Sequence, residues 1–367
     1  MKLKSFNTLK FKIYRLSSLA ALTVAVGLAG CGGQSSEPLN QNQATSTPSE
    51  SKPKVVASHS VLCDLTEKIA QDSIDLTCLI DAGQDPHTYQ ATPEDRKAIE
   101  TANLILYGGY DFDTSLIKLI QASKNTAPKV AVHEQAVSTP LIAEAHHHAE
   151  EEHAHDEEEH AHEDEAKTQN QGEGEVAEAE EERAPDPHIW HNAQNGIRMA
   201  EIIRDNLSQV APANADLYAK NAQQLTGELK QLDAWIKAQL DTIPAAQRKL
   251  VTTHDALNYY AQAYGLTIEG ALQGVSTKEE ASATRIKELV ADVKQANVPT
   301  IFAEKTSNSR LMETLAREAD VKVAEQELYV DSLGEAGTPG ETYVGMLAEN
   351  TCAIAQGLGG KCTPFQQ

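Results

Sequence analysis

The chain has too few cations to present a basic surface: 31 Lys and Arg stand against 54 Asp and Glu, for a net charge of −23. That excludes nucleic acid as a partner, because binding to phosphates is carried by cationic side chains. The chain also has no apolar run that reaches the roughly 20 residues of a membrane-spanning helix. A His-Glu-x-x-His pair, the signature of a helical zinc-hydrolase site, is missing as well. What remains is an uneven distribution of histidine, acid and cysteine along 367 residues, a length sufficient for two ordinary domains with their own cores.

The first 15 residues carry Lys2, Lys4, Lys10, Lys12 and Arg15 and no acid, and Leu16 to Gly30 is small and apolar apart from Ser17, Ser18 and Thr23. A basic start, a short apolar core and a small-residue end make a secretory signal. Leu28-Ala29-Gly30-Cys31 resembles a bacterial lipobox, so Cys31 is expected to carry lipid and to become the new N-terminus. Gly32 to Pro53 is rich in Gln, Ser, Thr, Asn and Pro and reads as a disordered tether. The other cysteines, Cys63, Cys78, Cys352 and Cys362, are even in number in an exported, oxidising setting. Of the three pairings open to them, Cys63–Cys78 and Cys352–Cys362 are favoured because each pair is close in sequence.

From Lys54 onward short apolar strands alternate with amphipathic helices, which predicts parallel sheets with helices on their faces. Strands are expected over 55–57, 74–80, 104–107 and 129–132, with helices over 62–70, 93–102 (Thr92 as N-cap) and 116–123. A helix is expected over about 196–210. After it, 212–240 is the longest helical pattern, with Leu225, Leu229, Leu232, Ile236 and Leu240 lining one face. Strands over 249–253, 266–269, 300–303 and 322–324 and helices over 256–264, 283–295, 309–319 and 342–356 follow. The predicted fold is α/β, with two lobes, each a mainly parallel sheet flanked by helices, joined by one long rigid helix, and a ligand in the cleft between them. The expected division is a signal over 1–30, Cys31 and tether over 31–53, an N-terminal lobe over 54–211, the interlobe helix over 212–240 and a C-terminal lobe over 241–367.

Residues 143–182 hold seventeen Asp and Glu against one Lys, so most of the net negative charge lies there, interspersed with His146, His147, His148, His153, His155, His160 and His162. With few apolar residues to offset its ordering entropy, this run reads as a mobile surface loop, and its histidines as weak auxiliary metal ligands. Directly after it comes Asp186-Pro187-His188-Ile189-Trp190-His191-Asn192, which repeats the Asp85-Pro86-His87 tripeptide. In both, proline stiffens the loop that presents the imidazole. Ligands of open α/β sheets collect beyond the carboxyl ends of strands. His87 follows the strand ending near Ile80, His254 follows Leu250-Val251-Thr252-Thr253, and Asp331 lies in Leu328-Tyr329-Val330-Asp331-Ser332. His87, His188, His254 and Asp331 thus form a candidate set of three imidazoles and one carboxylate, a donor set suited to zinc. His59, His133 and His191 are expected to be surface or hydrogen-bonded residues, His191 an exposed one.

The lipobox, Asp85-Pro86-His87, Asp186-Pro187-His188-Ile189-Trp190, Thr253-His254-Asp255-Ala256-Leu257 and Tyr329-Val330-Asp331-Ser332, in this order, resemble the zinc and manganese solute-binding lipoproteins of ABC importers. The resemblance covers essentially all of the mature chain. It implies His87, His188, His254 and Asp331 as metal ligands, an ABC permease as partner, a monomer, and a periplasmic or cell-surface place held to the membrane by lipid only. Manganese-binding relatives tend to have Glu at the third position, whereas this chain has His254, and nitrogen-rich coordination favours Zn²⁺ over Mn²⁺. Zn²⁺ capture and delivery, with no enzymatic activity, is therefore the expected function. Its rivals are a zinc-dependent hydrolase, for which Glu304 is the one carboxylate that could neighbour the ligands, and a surface metal-binding adhesin.

Overall fold

The computed structural model describes residues 51–144, 183–278 and 280–366. The signal, Cys31, most of the tether and the seven histidines of the acidic run lie outside the described residues. Among those described, no helix is long and apolar enough to cross a membrane.

The first lobe comprises β1 (Lys54–Ala57), α1 (Ser60–Ala70), β2 (Asp75–Cys78), α2 (Pro93–Thr101), β3 (Leu104–Tyr107), α3 (Thr114–Ala122), β4 (Lys129–Ala131), α4 (Val132–Ala136), β5 (Ile142–Glu144), β6 (Arg183–Pro185) and α5 (Ala193–Val210). Strands β1 to β4 form one parallel sheet in the order β2-β1-β3-β4. The period of two along each strand sorts the side chains into separate cores. Val55, Ala57, Leu104 and Leu106 pack with α1 and α5, whereas Val56 and Ile105 pack with Ile99, Leu116 and Ile120 of α2 and α3. Thr92 caps α2 as expected, its hydroxyl accepting from Asp95 N at 3.2 Å while Asp95 Oδ2 accepts from Thr92 N at 2.7 Å. The antiparallel ladder of β5 and β6 was not foreseen: it pairs Ile142 with Pro185 and Glu144 with Arg183, at the two ends of the acidic run.

A 3-10 turn (Pro212–Asn214) leads into α6 (Ala215–Leu240), 26 residues long and so about 39 Å at 1.5 Å per residue. Tyr218, Ala222, Leu225, Leu229, Leu232, Ile236 and Leu240 bury one stripe of it. This helix is tied to both lobes. Asn221 Nδ2 donates to Ile69 O of α1 at 2.9 Å, and at the other end Asp233 Oδ1 accepts from Tyr264 Oη at 3.2 Å.

The second lobe comprises β7 (Lys249–His254), α7 (Asn258–Tyr264), β8 (Thr267–Gln273), α8 (Ala283–Ala296), β9 (Thr300–Ile301), α9 (Ser309–Ala319), β10 (Lys322–Val323) and α10 (Tyr343–Gly357). It is less regular than predicted. Its strands form two parallel pairs, β7 with β8 and β9 with β10, linked where Phe302 N donates to Val251 O at 2.9 Å. The β7–β8 register slips between Leu250 and Val251, opposite Gly270, where a Cβ would lie 2.7 Å from Leu289 Cδ1. The favoured disulfides are present: Cys63–Cys78 joins α1 to β2, and Cys352–Cys362 joins α10 to the last described segment.

Tyr343, the first residue of α10, reaches across to α5. A Cβ on Gly196 would lie 2.4 Å from Tyr343 Oη, and that hydroxyl donates to Trp190 O at 2.5 Å. Gly196→Ala should therefore overpack a rigid ring and cost about 1–3 kcal/mol, read as a lower denaturant midpoint. An unchanged midpoint would contradict this packing.

Candidate metal centre

The four candidate side chains stand at or beyond the ends of strands. His87 lies in the loop after β2, His188 in the turn after β6, His254 is the last residue of β7, and Asp331 follows β10. The first two come from one lobe and the last two from the other. All four are buried, and one donor atom from each lies within 4.8 Å of the rest. His188 Nε2 is 3.2 Å from His87 Nε2 and 3.4 Å from His254 Nε2. Asp331 Oδ1 lies 3.2 Å from His254 Nε2, 3.3 Å from His188 Nε2 and 3.6 Å from His87 Nε2.

The far side of two of the rings, His188 and His254, explains why their Nε2 atoms point inward. His188 Nδ1 donates to Asp186 Oδ1 at 2.8 Å, and the same oxygen accepts from His188 N at 2.9 Å. His254 Nδ1 donates to Glu304 Oε2 at 2.5 Å, while Glu304 Oε1 accepts from His254 N at 2.9 Å. A carboxylate on Nδ1 leaves the lone pair on Nε2 and raises its basicity. Around His87, Asp85 Oδ1 accepts from His87 N at 2.9 Å, and Thr277 of the other lobe donates to Asp85 Oδ2 at 2.6 Å.

Electrostatics follow from burial and these neighbours. Burial works against a charged His254, but the Asp331 and Glu304 carboxylates override it and hold the imidazole well above the usual histidine range. His188 is likewise raised: burial opposes the charge, and hydrogen bonds to Asp186 and Asp331 outweigh it. His87 has no such second carboxylate, and burial lowers it despite Asp331. Burial would raise Asp331, yet the facing His254 and His87 hold it well below the usual carboxylate range.

One expectation needs correction. His191 is fully buried rather than exposed, because the 3-10 turn Ile189–His191 folds its ring against Trp190, with centroids 5.5 Å apart. Burial pushes its pKa down to about 3. His59 and His133 are hydrogen-bonded to each other, both buried, with Nε2 atoms 3.2 Å apart. Glu304 does neighbour the centre, through His254. The roles of Asp85 and Asp186 were missed, although their signal was in plain view: an Asp two residues before each His can reach back to that residue's own N–H.

Residues 55–357 match the family described as zinc-uptake complex component A, periplasmic (ZnuA). The chain belongs to this family. The manganese ABC transporter substrate-binding lipoprotein PsaA of Streptococcus mitis is 33% identical over 313 residues, covering 84% of this chain and 89% of PsaA. The manganese-binding lipoprotein MntA of Halalkalibacterium halodurans is 28% identical over 341 residues, 93% of this chain and 97% of MntA. Among solved structures, the periplasmic zinc binding protein TroA from Treponema pallidum superposes with a TM-score of 0.69 at 30% identity, covering 84% of this chain and 99% of TroA. As a ZnuA-family member the chain is a metal-binding, substrate-binding component of an ABC importer.

The role of Glu304 is directly measurable. Glu304→Gln keeps the shape but removes the charge that makes His254 basic, and should weaken metal binding by about 10–100-fold. Equal affinity in a competitive chelator titration would show that His254 is oriented without it.

Proposed function

We propose that this protein captures Zn²⁺ outside the cytoplasmic membrane and delivers it to an ABC permease, with His87, His188, His254 and Asp331 as the four ligands. The observation that carries this reading is the state of Asp331. Its carboxylate is fully buried, and one oxygen meets three imidazole Nε2 atoms at 3.2, 3.3 and 3.6 Å. Three nitrogen lone pairs and one carboxylate so close together can all be satisfied by one divalent cation at their shared focus. Two imidazole nitrogens on one tetrahedral zinc stand about 3.3–3.4 Å apart when Zn–N is about 2.0–2.1 Å. The spacings of 3.2 and 3.4 Å found here suit that geometry.

Three nitrogens and one oxygen favour zinc over the harder manganese ion. The named manganese-binding relatives make Mn²⁺ the alternative cargo. A hydrolytic use of the metal would need an open position and a free base. Asp331 takes the fourth position, and both Glu304 oxygens are engaged by His254. Anchoring through Cys31, a monomeric state and zinc gathering by the histidines of 143–182 complete the proposal.

His254→Ala should abolish tight zinc binding, and undiminished affinity in that variant would refute the ligand set. Metal analysis after joint exposure to Zn²⁺ and Mn²⁺ should find zinc; a site that retained manganese would overturn the choice of cargo. Deleting 145–182 should lower the total zinc bound while sparing the tight site, and unchanged stoichiometry would remove the loop's role. Because Asp331 and Glu304 hold His254 above the ordinary histidine value of about 6.5, protons compete with the metal from neutrality downward. Zinc affinity should therefore fall continuously as pH drops through 7, and a flat profile between about pH 8 and 6 would contradict that competition.

A further inference from the structure

The spacing that marks the metal centre recurs once more in the N-terminal lobe. His59 Nε2 lies 3.2 Å from His133 Nε2, both rings are buried, and they meet at 67° with centroids 5.1 Å apart. The equivalent values for His87 and His188 are 3.2 Å, 53° and 5.3 Å. Both histidines stand at the carboxyl ends of strands of the parallel sheet, His59 after β1 and His133 after β4, where this kind of sheet collects ligands. We infer that His59 and His133 form a second, auxiliary site for a borderline divalent cation, zinc first, completed by water.

Local structure argues that the two side chains are aimed rather than incidental. His59 occupies the N-cap position of α1, where Ser, Thr, Asn or Asp would accept from the helix, yet it makes no side-chain cap bond and turns to His133 instead. His133 enters the same space past Gly108, where a Cβ would press on its Cε1 at 3.1 Å. Burial keeps both imidazoles neutral, the form that ligates, with His59 pushed down to about 3. Phe112 forms one wall of the site.

The two sites share that wall. The Phe112 ring packs 5.2 Å from His59 and 6.1 Å from His133 on one side, and 5.0 Å from His87 and 5.7 Å from His188 on the other. Trp190 likewise touches His59, His133 and His188. With two protein ligands and no first-contact carboxylate, the auxiliary site should fill after the four-ligand centre.

The test is crystallography of the full mature chain grown with excess zinc, with anomalous maps recorded above the zinc absorption edge. A second peak between the Nε2 atoms of His59 and His133 is expected, lost in His133→Phe while the peak at the four-ligand centre remains. The wild-type map decides even if the variant fails to fold. A peak at the four-ligand centre alone would overturn the inference and leave a hydrogen-bonded imidazole pair. A peak only at His59 and His133 would support it and refute the ligand set proposed for the cargo, and no peak at all would overturn both.

Discussion

A carboxylate enclosed with three imidazoles and away from water is the constraint on which the architecture depends. Asp331 cannot be buried alone, and no single lobe surrounds it: His87 and His188 approach from one side and His254 from its own. The chain holds the aspartate in place from across the interface. Ser60 Oγ accepts from Leu333 N at 3.0 Å, Ser332 Oγ accepts from Gly83 N at 2.8 Å, and the two hydroxyls are 3.2 Å apart. Trp190 Nε1 donates to Val330 O at 3.1 Å, so the residue before Asp331 is bound by the residue two after His188. Removing the site would leave these cross-lobe bonds with little to organise.

Such a shared centre needs lobes that keep their distance, and α6 supplies the rigid measure. Its buried stripe runs unbroken for most of 26 residues and is hydrogen-bonded to α1 near one end and to α7 farther along. A stiff helix of this kind leaves little scope for wide hinge opening. The Asp85–Thr277 contact joins the loop carrying His87 to the opposite lobe.

Much of this was legible in the sequence because it rests on local rules. The apolar runs of β1 and β3, the stripe along α6 and the Thr92 cap each depend on a few neighbouring residues. The four converging side chains were legible for a related reason, since each lies at or beyond a strand end. What the sequence hid depends on contacts between distant segments. His191 is three residues from His188, yet its burial is decided by a turn packed under Trp190. The partnership of His59 with His133 joins positions 74 residues apart through the order of strands in a sheet. The slipped register of β7 and β8 opposite Gly270 is announced by no periodicity.

The short antiparallel ladder of β5 and β6 pairs Glu144 with Arg183 and returns the chain to Asp186, whose own N–H is fixed by Leu141 O at 2.8 Å. Whatever sequence lies between the paired residues therefore enters and leaves through a fixed doorway. The entropic cost of closing such an insert grows only as the logarithm of its length, by about 0.6 kcal/mol per doubling. Segments of quite different size and composition could be exchanged at that doorway while the imidazole of His188 stayed where it is, so the insert can change without the four converging side chains having to follow.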